Sequence, residues 1–67
     1  MLKNKFDIGD LVKHRVRGYF GVIIKALPPE DEEKLWLYKV GWQHGHWMFE
    51  LESQLQLEEK AHDQHKI

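Results

Sequence analysis

Lys13, His14, Arg15 and Arg17 fall within five consecutive positions, with Lys3 and Lys5 upstream and Tyr19 just beyond. Cations at this density neutralise phosphates and release counterions, and a neighbouring ring can stack on a base. That is the make-up of a nucleic-acid contact. The same residues also suit a solvated strand edge, where Lys and Arg discourage edge-to-edge aggregation. Alternation along a strand would split them between two faces. The formal net charge of −1 supplies no general attraction to a polyanion. Residues 1–25 nevertheless carry six Lys and Arg against two acids, while residues 26–67 carry four Lys against nine acids, so the charge is unevenly placed along the chain.

The aromatic residues form the second set: Tyr19, Phe20, Trp36, Tyr38, Trp42, Trp47 and Phe49. Trp36, Tyr38, Val40 and Trp42 recur at period two, the pattern of a buried strand face. Tyr38, Val40, Trp42 and Phe49 are therefore expected in the core. Tyr19, Trp36 and Trp47 are the candidates for exposure, and Trp36 and Trp47 for a protein-binding surface. A base-stacking platform or a cage for a methylated cation are the other uses of such rings.

Metal and covalent chemistry find little support. His44 and His46 flank a glycine, and His62 and His65 stand near the end, but no set has structural-zinc spacing. A hairpin turn would direct His44 and His46 to different sides. Ser53 is the single serine, and there is no cysteine or threonine. No nucleophile elbow, P-loop or glycine-rich dinucleotide turn occurs. The expectation is a protein that is not an enzyme, with no cofactor, no metal and no small-molecule substrate. The run Glu30-Asp31-Glu32-Glu33 reads as a charged surface loop or a dock for a basic partner.

These residues must be positioned by short strands. Sixty-seven residues make one domain. Without disulfides, so small a core must rely on its eight aromatic side chains. Gly9-Asp10 is a turn signal, and Leu11 to Arg17 alternates as a first strand. Tyr19 to Ala26 is the second. Phe20, Val22 and Ile24 share one of its faces; Tyr19, Gly21, Ile23 and Lys25 share the other. Gly21 inside a strand marks a bend, a bulge or close backbone approach. Pro28-Pro29 and the acids after them make a loop, with a helical turn over Asp31 to Lys34 as its one structured option.

Leu35 to Trp42 is the third strand, Gln43-His44-Gly45 a tight hairpin turn, and His46 to Glu50 the fourth strand. Glu50 to Gln54 reads as a short helical turn before a brief fifth strand at Leu55 and Leu57. The predicted fold is all-β, a single SH3-like barrel of about five strands over residues 1–57. Residues 58–67 are read as a polar, frayed tail. No apolar run approaches the roughly 20 residues of a membrane span. Met1 to Lys5 is followed by no apolar signal-peptide segment, so a cytoplasmic location away from membranes is expected.

The order Phe6-x-Ile8-Gly9-Asp10-x-Val12-x-His14-Arg15, then Gly18-Tyr19-Phe20-Gly21-Val22-Ile23, Trp36-x-Tyr38-x-Val40 and Glu52-Ser53-Gln54-Leu55 resembles the HspQ family, also called hemimethylated-DNA-binding or YccV-like. The resemblance covers roughly residues 6–55. Its more specific pieces are Val-x-His-Arg and Gly-Tyr-x-Gly-Val. The loop at Pro28 to Lys34 and the tail after Leu57 are shorter than is usual there. The resemblance implies a small SH3-like barrel that binds without catalysing, with DNA binding and an adaptor role for an ATP-dependent protease as attributed activities. Two functions follow as expectations. One is DNA binding through Lys13, His14, Arg15, Arg17 and Tyr19. The other is a protein-interaction module or small accessory subunit, phage-encoded forms included, docking through Trp36 and Trp47.

Overall fold

The computed structural model describes residues 4–30 and 35–61. Five strands occupy this part of the chain: β1 (Leu11–His14), β2 (Phe20–Leu27), β3 (Leu37–Trp42), β4 (Trp47–Leu51) and β5 (Leu55–Glu59). They form one antiparallel sheet in the order β4-β3-β2-β1-β5. A 3-10 turn, Glu52–Gln54, carries the chain from β4 to β5. The all-β expectation and the helical turn before the last strand both hold. Among the described residues no helix is long and apolar enough to cross a membrane.

Alternation builds the core. Val12 from β1, Ile23 from β2, Tyr38, Val40 and Trp42 from β3, and Leu55 from β5 are buried together with Phe6. Tyr19, Ala26 and Trp36 pack against this cluster. Gly21 shows why its position takes no side chain. A Cβ there would stand 2.6 Å from the Trp42 ring and 2.7 Å from a Val40 methyl. The glycine lets β2 lie directly against the largest core side chain. The β3–β4 turn closes with Gly45 at φ +97°, while the Trp42 N–H donates to the His46 carbonyl at 2.8 Å.

The hairpin register overturns one core assignment. Gly41 pairs with Trp47, Lys39 with Phe49 and Leu37 with Leu51. These are the outward positions of β3, so Trp47, Phe49 and Leu51 point outward too, and Phe49 is 46% exposed rather than core. The turn length decides this, because a shift of one residue sends every side chain of a strand to the opposite face. Met48 and Glu50 take the inward side, across from Val40 and Tyr38.

A second correction concerns Lys25. A β-bulge between Ile23 and Lys25 adds one residue to β2, so Ile24 and Lys25 are exposed in succession and Lys25 pairs with Lys39 on the outer face. The outer face therefore carries cross-strand rows: Leu27–Leu37–Leu51, Lys25–Lys39–Phe49, and Leu11–Val22–Gly41–Trp47.

The far end of β5 is anchored to the start of β1. β5 runs past Leu57 to Glu59, and the next two residues dock on Asp10. The Asp10 carboxylate is fully buried. It accepts bonds from the Asp7 N–H at 2.9 Å, the Ala61 N–H at 2.8 Å and the Lys60 ammonium at 2.9 Å. Burial alone would raise its pKa. The two backbone N–H groups and Lys60 outweigh that and hold it below the usual carboxylate value. The frayed tail expected from residue 58 thus does not begin there. Positions 62–67, and the helical turn expected over Asp31 to Lys34, lie outside the described residues.

Candidate nucleic-acid interface

β1 ends at His14, three residues earlier than alternation alone suggests, and the His14 ring accounts for the stop. Its Nδ1 accepts the backbone N–H groups of Val16 at 3.2 Å and Arg17 at 3.1 Å. The main chain closes through Gly18 N–H to His14 C=O and His14 N–H to Tyr19 C=O, both at 2.9 Å. Because Nδ1 is an acceptor, the proton of the neutral ring sits on Nε2, which faces Glu50 Oε1 at 3.6 Å. His14 is buried. Its ring lies beneath the turn that presents the arginines, with Nδ1 occupied by that turn's backbone.

Arg15 and Arg17 are exposed on that turn. Arg15 is braced: its backbone N–H donates to the Gln54 carbonyl at 2.9 Å, and its Nε to the Leu55 carbonyl at 3.2 Å. Tyr19 follows the turn and is half-buried. Its ring meets Trp42 at 4.8 Å, His44 at 4.9 Å and His14 at 5.6 Å between centroids. The His44 and His46 rings lie 5.1 Å apart, so the hairpin brings together two histidines that spacing alone separates. Among the described residues no group of three or more metal-binding side chains forms. His62 and His65 fall outside them.

A half-open cleft of about 410 Å³ lies beside the turn, lined by His14, Val16, Arg17, Tyr19, Met48, Phe49, Glu50 and Gln54. Arg17 and Tyr19 thus share one concave surface. Glu50 is its least expected member. In the sequence it reads as the end of the fourth strand and the start of a helical turn, yet the hairpin register turns it inward toward His14. The available signal was its parity with Met48 once Gly41 is paired with Trp47.

The remaining candidates lie elsewhere. Lys13 alternates to the outer face, pairs with Phe20 and holds its ammonium 5.7 Å from that ring. Trp36 is half-buried and stacks on Tyr38 at 6.3 Å, whereas Trp47 is exposed on the outer face. The two tryptophans do not form one surface.

A cationic turn beside a half-buried ring is thus backed by the antiparallel sheet. The protein family described as hemimethylated DNA-binding protein YccV like matches residues 4–65. The chain belongs to the YccV-like family. The match spans the sheet, the β1–β2 turn and the cleft, which supports a DNA-binding module. No curated protein matches the chain. Among the described residues of this YccV-like domain, Arg15 and Arg17 stand exposed on the one turn between β1 and β2.

Proposed function

We propose that this YccV-like chain is a non-catalytic DNA-binding module, built as an SH3-like barrel and working in the cytoplasm. The strand order β4-β3-β2-β1-β5 with a 3-10 turn before β5 supports that barrel reading. Arg15 and Arg17 contact phosphates, and Tyr19 and the adjoining cleft meet the base side of the groove. The observation that carries the reading is the shared cleft of Arg17 and Tyr19, a cation and an aromatic ring on one surface, in a chain of a family named for DNA binding. Lys13 lies on the opposite side of β1 and contributes a more distant charge. His14 acts through the turn. The exposed His44 and His46 extend the same end of the sheet.

Fluorescence anisotropy with hemimethylated, fully methylated and unmethylated duplexes of one sequence tests this. The expected result is binding that weakens steeply with salt, with the hemimethylated duplex preferred. Arg17→Ala should lower the slope of log K against log salt by about one. Absence of binding to every duplex at low salt overturns the reading. Equal binding of all three removes only the methylation preference.

A further inference from the structure

The outer face of β2 and β4 carries six large apolar side chains, Phe20, Val22, Ile24, Trp47, Phe49 and Leu51, each 39–54% exposed. They lie on adjacent cross-strand rows and form one surface. Soluble monomers rarely leave so continuous an apolar area open, and where they do it marks an interaction site. The DNA contact proposed above lies at the β1–β2 turn and reaches this face only at Phe49, on the edge of the cleft, leaving the rest unexplained.

Charge decides what covers it. Lys25 stands directly opposite Lys39 within the same face. Like charges in a directly opposed pair destabilise a sheet. The single acid of β2, β3 and β4 is Glu50, whose side chain is on the inner side near His14. Among the described residues, β2, β3 and β4 thus place Lys25 and Lys39 on this face and no acid. A second copy docked face to face would bring lysines against lysines. A nucleic acid would find stacking planes only at the aromatic rings, since Val22, Ile24 and Leu51 offer none, and the Lys39 ammonium already lies 4.3 Å from the Trp47 ring. We propose that the outer face of β2–β3–β4 docks a protein segment in which acidic residues accompany apolar ones, the acids meeting Lys25 and Lys39 and the apolar side chains covering Trp47, Phe49 and Ile24.

The full chain, immobilised, is screened against a random peptide library displayed on phage. Enriched peptides should combine Asp or Glu with Leu, Ile, Phe or Trp. The double variant Lys25→Glu/Lys39→Glu should reverse the choice to Lys- or Arg-bearing apolar peptides. Trp47→Ser should weaken a selected acidic peptide by about tenfold or more. Arg17→Ala should leave peptide binding unchanged. Circular dichroism melts of each variant distinguish lost contact from lost fold. The proposal is overturned if selected peptides show no acidic bias, if the charge-reversed face keeps the same peptides, or if Lys25→Glu/Lys39→Glu reduces duplex binding as strongly as Arg17→Ala. The DNA reading is measured separately on the duplexes, so either can fail alone.

Discussion

The ammonium of Lys60 lies 2.9 Å from the buried carboxylate of Asp10, fifty positions earlier in the chain. The same ammonium is 2.8 Å from Asp7, so the end of β5 is clamped to the turn that opens β1. The Lys60 ammonium in turn is held above its ordinary pKa, first by Asp7 and then by Asp10. Asp10→Ala leaves the Asp7 and Ala61 N–H groups without their acceptor and should cost about 3 kcal/mol, read from urea or thermal unfolding.

The same carboxylates set an acid limit. Asp7 is held below its ordinary pKa chiefly by the hydrogen bond from Lys60, and Asp10 is lowered as well. A carboxylate whose folded pKa is depressed stabilises the fold above its unfolded value and loses that contribution as pH falls through the folded value. The melting temperature should therefore drop below about pH 4. Asp10→Asn should flatten that fall, and an unchanged acid profile would contradict the clamp.

Tyr38 defines the alkaline side. Its hydroxyl donates to Glu52 Oε2 at 2.6 Å, and Glu52 also accepts the Lys5 N–H at 3.0 Å. Burial first, and then the bond to Glu52, raise the phenol well above its ordinary pKa. The unfolded chain ionises this phenol first, so its contribution is present below about pH 10 and declines as pH rises further. Ultraviolet titration should show one tyrosine resisting ionisation, and Tyr38→Phe should abolish that component. The same substitution should cost about 1.5 kcal/mol.

Gly21→Ala tests the closest packing in the sheet. Its Cβ would meet ring and methyl atoms held inside the core, with the Gly41 carbonyl also only 2.9 Å away. Overpacking of that kind should destabilise by about 3 kcal/mol. Gly41→Ala has a different outcome. Its new methyl meets the terminal carbon of the exposed Ile24, which can rotate aside. A smaller loss for Gly41→Ala in denaturant unfolding is expected.

The hairpin register makes its own prediction. Phe49→Ser should cost about 1 kcal/mol or less, since the side chain is already half in water. Trp42→Ala should cost about 4 kcal/mol and blunt binding of duplex DNA, because Trp42 supports Tyr19 and His14. Equal losses for the two would mean that Phe49 is core after all.

Period-two patterning from Leu37 to Trp42, the glycines at 21 and 45, and the prolines after Leu27 were enough to call for an all-β chain with its hairpin in the right place. Local patterning settles such elements because side-chain alternation and turn chemistry act over a few residues. The basic run at 13–17 was equally legible as a cluster, and its division was not. His14 went inward to hold the turn, Lys13 went to the outer face, and only Arg15 and Arg17 stayed on the loop. Phe49 and Lys25 changed sides, and Glu50 turned inward, for one physical reason: face depends on register, and register is set by a turn length and a bulge that involve two strands at once. The clamp of Lys60 on Asp10 depended still more on the whole chain, since a contact across fifty positions exists only once β5 has paired with β1.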